Sequence, residues 1–263
     1  FDTTPYTILV VDDNPDMTDF LKRTFEGYFK RIIIAGDGGE ALQLVRSHVP
    51  DIIVSDVMMP RMNGYKLCKT IKEDINISHI PVILLTARDD RQSQISGYKN
   101  GADGYLSKPF EVEMLMELIR NRLKNREYTK KRYLNAGLIP TPEESTISLT
   151  DETFLIKLNS IIQENIENSN LGIQFICQEV GLGRSSLYNK LKALTGMGAN
   201  EYISKLRIEK AITLISGTDM PFSEIAEKTG FTTPSYFSTA FKQYTGETPS
   251  QYKERKKKGL ADK

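Results

Sequence analysis

Cysteine and histidine are scarce in this chain, with two of each among 263 residues. Cys68 and Cys177 lie far apart, and both fall on helical apolar patterns. That placement favours buried small hydrophobes over a metal ligand or a redox pair, and it suits a reducing compartment. His48 and His79 read as surface or helix-end residues. Long apolar runs are missing too. No stretch reaches the roughly eighteen residues that a membrane-crossing helix needs, and the first residues carry no export-signal pattern. A cytoplasmic location is therefore expected. An initiator methionine is also absent, because Phe1 opens the chain; the expectation is a piece of a longer protein. Nor does one sign of charge dominate, since 35 basic side chains face 34 acidic ones for a net charge of +1. Residues 1–125 hold 16 basic and 18 acidic groups, and residues 151–263 hold 15 and 13. A back half this weakly basic permits nucleic-acid binding without arguing for it, so motifs must decide.

What is present divides in two, as a length about twice the modal domain predicts. Residues 1–125 alternate short β-branched runs with amphipathic segments. The runs at 7–11, 31–35, 51–55 and 81–85 suit strands buried on both faces, and a fifth fits near 104–106. Asn14-Pro15 reads as an N-cap followed by proline at the first helical position. Val112, Leu115, Met116, Ile119 and Leu123 then fall at helical spacing. Such repeats predict an α/β doubly wound parallel sheet, whose ligands sit at the carboxyl ends of the strands. Residues 126–150, charged and then rich in proline, serine and threonine, have linker composition. Residues 151–255 read as all-helical, and 256–263 as a basic tail. Within the helical part an internal repeat stands out. Leu187, Leu191 and Leu194 are matched about fifty residues later by Phe237, Phe241 and Tyr244, Thr195-Gly196 by Thr245-Gly246, and Tyr202 by Tyr252.

The front half gathers charge where its strands end. Asp12 and Asp13 follow the first strand, Asp56 the third and Lys108 the fifth, while Thr86 ends the fourth. A carboxylate trio at one sheet edge is costly unless a cation neutralises it, and oxygen-only donors suit Mg²⁺. A carboxylate beside Mg²⁺ can attack a phosphoryl donor, with a lysine and a hydroxyl nearby to bind the phosphoryl oxygens. Each residue alone is ordinary, because aspartate at a strand end caps helices more often than it binds metal. Their order along the chain is what carries the reading.

Asp12-Asp13, Asp56-Val-Met-Met-Pro60 with Gly64, Thr86-Ala87 and Lys108-Pro109-Phe110 together resemble the CheY-type receiver family over residues 6–124. The resemblance implies a flavodoxin-like five-stranded sheet of order 2-1-3-4-5 with Asp56 as phosphoacceptor. It also implies Mg²⁺ held by Asp13, Asp56 and the Met58 carbonyl, and by Asp12 through a water. Lys108, placed by a cis bond before Pro109, would pair with the phosphoryl group, and Thr86 with Tyr105 would form the conformational switch.

The back half carries two helix–tight turn–helix patterns, 173–180 with 184–194 and 222–229 with 234–244, joined by a helix at 199–216. Glycine in each turn suits a left-handed backbone. Ile225-Ala226, Gly230-Phe231, Ser235-Tyr-Phe237, Phe241-Lys242 and Gly246-Glu-Thr-Pro249 with Tyr252 resemble the AraC/XylS-type DNA-binding family over about residues 152–255. By position, Ser185, Tyr188 and Asn189 would read bases in the first unit, and Ser235, Ser238 and Thr239 in the second. Arg184, Lys190, Lys192 and Lys242 would contact phosphates. The family often has arginine where Asn189 and Thr239 stand, so modest affinity and a need for two copies are expected. Gly183 replaces the usual hydroxyl cap.

These resemblances imply a phosphorylation-controlled transcription regulator of a two-component phosphorelay. Its partners would be a histidine kinase, double-stranded DNA and a second copy when phosphorylated, paired through the face around the fifth strand. No kinase motif lies in the chain, and neither histidine has phosphoacceptor context. The whole resembles the C-terminal part of a hybrid sensor kinase, which leaves open an inner-membrane anchor in the parent. An aspartyl phosphatase would need a second aspartate where Met58 stands, and a protein-binding helical repeat would share the same apolar stripes.

Overall fold

The computed structural model describes residues 1–87, 101–135 and 148–261, and its contacts divide the chain into two compact units. The first comprises Phe1–Arg132 with Pro140–Thr153, and the second Tyr133–Ile139 with Phe154–Lys263.

In the first unit, strands β1 (Thr7–Val11), β2 (Arg31–Ala35), β3 (Ile52–Asp56), β4 (Val82–Ala87) and β5 (Gly104–Lys108) form one parallel sheet of order β2-β1-β3-β4-β5. Alternation along each strand sends side chains to opposite faces. Leu9, Val11, Ile53, Val82 and Leu84 pack with Ala41 and Val45 of helix α2 (Gly38–His48) and Leu67, Cys68 and Ile71 of α3 (Gly64–Glu73). Ile8, Val10, Val54, Ile83 and Leu106 pack with Leu21 and Phe25 of α1 (Pro15–Phe25) and Leu115, Ile119 and Leu123 of α4 (Val112–Asn135). Both faces are covered, which is why the strands read as unbroken apolar runs. Asn14 caps α1 as expected, its side chain accepting from Asp16 N at 2.9 Å. The Lys108–Pro109 peptide is cis.

Three expectations need correction here. Strands β3 to β5 run one to two residues further than their apolar composition, because neighbouring ladders continue to pair: Val57 N donates to Leu85 O at 3.0 Å. Asp56 and Lys108 therefore lie inside strand ends rather than after them, while Thr86 lies at the end of β4 as expected. The charged segment from Arg126 is not linker but the continuation of α4. Arg126 donates to Asp51 O at 3.0 Å, and Lys130 pairs with Glu127 at 2.6 Å, so these three charges have partners within the first unit. Residues 136–147 lie outside the described residues, as does the segment between β4 and β5 from 88 to 100. His79, expected at the surface or a helix end, is buried and lies outside any helix; His48 is exposed at the end of α2.

The second unit is helical among its described residues. Helices α5 (Leu149–Glu164), α6 (Ile173–Val180), α7 (Arg184–Thr195), α8 (Ala199–Gly217), α9 (Phe222–Lys228), α10 (Pro234–Thr245) and α11 (Pro249–Ala261) follow in order. The first residues of α5 group with the first unit, Asp151 accepting from Ser78 Oγ at 2.7 Å, although the composition assigned 151 onward to the second domain. Helix α11 runs into the segment read as a tail as far as Ala261, with Lys257 3.8 Å from Asp219. Gly181 and Gly230 take φ values of +72° and +73° in the two turns, which a side chain disfavours. Gly183 makes no side-chain cap, whereas Thr233 caps α10 by accepting from Tyr236 N at 3.1 Å. Leu187, Leu191 and Leu194 are buried in the stripe of the first helix-turn-helix, as are Phe237 and Phe241 in that of the second. Tyr244, the expected third member, is 40% exposed, because its hydroxyl donates to Glu209 at 3.3 Å instead of entering the core.

Candidate functional site

The acidic pocket forms at one edge of the sheet, where β1 and the neighbouring β3 end and β5 reaches across from beyond β4. Asp12 and Asp56 are buried, Asp13 is exposed, and each offers a carboxylate oxygen within 4.8 Å of the other two. Lys108 Nζ lies 2.8 Å from Asp12 Oδ2 and 2.7 Å from Asp56 Oδ1. Asp12 Oδ1 accepts from Asn14 N, and Asp56 Oδ2 from Met58 N, both at 2.9 Å. Backbone amides and one ammonium thus aim the two buried carboxylates at a single point.

The electrostatics follow from burial. Burial pushes the Asp56 carboxyl above the usual carboxylate range, with Lys108 opposing the shift and Asp12 adding to it. For Lys108, burial pulls the ammonium down, but hydrogen bonds to Asp12 and Asp56 outweigh it and hold it above its ordinary value. Three carboxylates against one ammonium leave the pocket negative. Its donors are all hard oxygens, so the residues fit a small divalent cation such as Mg²⁺ and do not fit a soft metal.

Thr86 and Tyr105 lie on one face of the sheet. Leu84 pairs with Tyr105 and Thr86 with Ser107, so side chains at 84, 86 and 105 share a face. Tyr105 is half-buried against the core on the α2/α3 side, and Thr86 is buried.

Two paired residues beyond the ends of β2 and β3 escaped the sequence reading. Asp37 is buried and accepts from Gly39 N at 2.7 Å and Glu40 N at 3.1 Å, and Arg61 pairs with it. Arg61 lies in the β3–α3 loop with φ +63°, a left-handed backbone uncommon outside glycine. A Cβ on Gly38 would stand 2.6 Å from the Met62 carbonyl, so loop and helix are in close contact. The signal for Asp37 was present, since Asp37 followed by Glu40 is a capping-box spacing. Nothing local marked Arg61.

In the second unit, the proposed base-reading positions share the outward side of α7 and α10. Ser185, Tyr188, Asn189, Ser235 and Thr239 are exposed and Ser238 is partly so; Arg184, Lys192 and Lys242 are exposed beside them. Ser238 and Thr239 donate their hydroxyls back to Pro234 O at 3.0 Å and Ser235 O at 3.1 Å, leaving their oxygens free to accept. Lys190 overturns its assignment as a phosphate contact. It is fully buried, with Nζ 5.1 Å from the centre of the Phe154 ring, because position 190 falls on the same helical side as Leu187, Leu191 and Leu194. Tyr236, 53% exposed on α10 beside Ser235, joins the outward set.

Comparisons with known proteins agree with both halves. A receiver-domain family model, described as "Response regulator receiver domain", matches residues 8–120, and a "Helix-turn-helix domain" model matches 176–255. A protein of Formosa agariphila called histidine kinase P4 is 41% identical over 249 residues, which is 95% of this chain and 18% of that protein. The DNA-binding response regulator MtrA of Mycolicibacterium smegmatis is 36% identical over 136 residues, 52% of this chain and 58% of that one. The chain thus spans less than two thirds of each of these two relatives. Response regulator MprA of a Mycobacterium strain is 36% identical over 165 residues, covering 58% of this chain and 70% of that protein. A solved receiver domain of Francisella response regulator 1452 shares 38% identity over 46% of this chain and 98% of that one, at a TM-score of 0.42. With a receiver ahead of an AraC-type helix-turn-helix domain, the chain belongs to the response regulators.

Proposed function

We propose that this chain is a phosphorylation-controlled, sequence-specific DNA-binding regulator of transcription, with Asp56 as its phosphoacceptor. One observation carries the reading: the buried Asp56 carboxylate is held between a backbone amide and Lys108 in a pocket of oxygen donors. An Asp56 oxygen attacks the phosphorus of a kinase phosphohistidine, forming an acyl phosphate as the donor's bond to phosphorus breaks. Lys108 follows the charge from carboxylate to phosphoryl oxygen, and Asp12 holds Lys108 in reach throughout. Asp13, Asp56 and the Met58 carbonyl would hold Mg²⁺, with Asp12 reaching it through a water. A bound Mg²⁺ supplies charge screening between the anionic nucleophile and its anionic donor. Thr86 turns its hydroxyl to the phosphoryl oxygen, and the Tyr105 ring follows on the same face. The changed surface pairs two copies, which raises the effective concentration of the second DNA-binding domain on an adjacent half-site. Arg184, Lys192 and Lys242 contact phosphates, and Ser185, Tyr188, Asn189, Ser235, Ser238 and Thr239 read bases.

The identity to a protein called a histidine kinase supports a donor kinase on the same parent polypeptide. Gel shifts on DNA selected by the chain, with and without a small-molecule phosphodonor and Mg²⁺, test the reading. Tightening of about tenfold or more is expected for the native chain and none for Asp56→Ala. Equal binding in all four arms would end the proposal.

A further inference from the structure

We infer that Arg207 is a positioning residue for DNA recognition: it sets the spacing between the two helix-turn-helix units. The inference rests on the DNA-binding reading above and adds what fixes the geometry of that site.

Helix α8 joins the two units, and its Ile208, Ala211 and Ile215 pack with Ile225, Phe231, Phe237 and Phe241 of the second. Arg207, midway along α8, adds a tie from that packed pair to the segment before the first unit. Its Nη2 donates to Asn168 O at 2.7 Å, in the segment that leads into α6 of the first unit. Its guanidinium carbon stands 6.0 Å from the centre of the Phe231 ring, in the turn of the second unit. One turn along the same side of α8, Lys210 pairs with Glu167 at 3.2 Å. Gly230, next to Phe231, packs so closely that an added Cβ would meet both the Ile166 carbonyl and the Arg207 guanidinium. Segment 166–168 and turn 230–231 therefore meet directly at Gly230 and again across one planar side chain.

Arg207 is a poor choice if stability were its task. Its Nε is buried without a hydrogen-bond acceptor among the described residues, a cost that a well-packed apolar residue would avoid. What the fork provides is direction, since a rigid guanidinium holds two partners at one angle. Two recognition helices entering successive major grooves need their separation held near one turn of DNA, roughly 34 Å. A brace between the segment before the first unit and the turn of the second is suited to hold it.

The test uses the full chain and a composite site selected by it. Fluorescence anisotropy measures binding to that site, to a series with one to three base pairs inserted between its two elements, and to each element alone. The native chain should lose tenfold or more on a two-base-pair insertion. Arg207→Met should bind the uninserted site several-fold more weakly, keep binding to each element alone, and lose less than threefold on insertion. Arg207→Lys should also show a flattened profile, because an ammonium lacks the fork. Retained single-element binding and an unchanged circular dichroism spectrum establish that the variants fold. Should Arg207→Met unfold, Lys210→Gln carries the test, with a smaller flattening expected. A variant profile parallel to the native one overturns the inference. Absence of two-element binding by the native chain would instead overturn the DNA reading beneath it.

Discussion

Single residues in this protein are assigned by what surrounds them, and charge alone misleads. Lys190 and Lys192 are two positions apart on α7, yet one is fully buried against Phe154 and the other is exposed. Lys192→Ala should lower the salt dependence of DNA binding by about one unit of slope and leave stability unchanged. Lys190→Ala should cost about 2 kcal/mol of stability through lost packing while leaving that slope intact. Urea titration and binding at a series of salt concentrations separate the two, and an equal effect on slope would restore Lys190 to the DNA face. Asp37 makes a second case. The hydrogen bond from Glu40 N, with that from Gly39 N and the Arg61 pair behind it, holds its carboxyl below the usual range. A carboxylate depressed in the folded state contributes stability above its unfolded pKa that is lost as the pH falls through the folded value. Native protein should therefore lose stability below about pH 4 by an amount that Asp37→Asn, already lacking the charge, does not. Identical acid profiles would show that the capping charge is irrelevant.

Elements depend on the space around them as well as on their backbone angles. Gly181 and Gly230 have nearly the same positive φ in equivalent turns, but a Cβ on Gly181 would meet nothing within 4 Å while one on Gly230 would meet Ile166 O. Gly181→Ala should cost about 1 kcal/mol, the conformational penalty alone. Gly230→Ala should cost at least twice that, with thermal unfolding as the measure; equal losses would remove the close contact from the argument. Helix α4 shows the converse. Its residues from 126 onward carry so many charges that composition read them as a linker, because a solvated helix surface and a flexible tether have similar composition. The Arg126–Asp51 contact, 75 residues apart in sequence, is what separates them, and no local pattern contains it. The core strands were legible for the opposite reason: burial on both faces leaves a composition that few other structures share.

At the scale of the whole molecule, the proposed function requires a signal at Asp56 to reach the helices of the second unit, more than a hundred residues later in the chain. The proposed route is self-association. Sedimentation of the native chain with Mg²⁺ and a phosphodonor should show a shift from monomer towards dimer that Asp56→Ala lacks. A native chain that stays monomeric while its DNA affinity rises would exclude pairing as the link. The amino-acid sequence by itself determined the two-part plan, the parallel sheet, the identities of Asp12, Asp13, Asp56, Thr86 and Lys108, and the duplicated helix–turn–helix pattern. Those features are written in local periodicity and in residues at strand and helix ends, where chain position alone fixes the chemistry. Tertiary structure decided that Lys108 bridges Asp12 and Asp56, that Arg61 pairs with Asp37, that Lys190 is internal, and that Arg207 joins Asn168 to Phe231. Each of those is a meeting of residues distant in sequence or a choice of helix face, and only the packed chain specifies either.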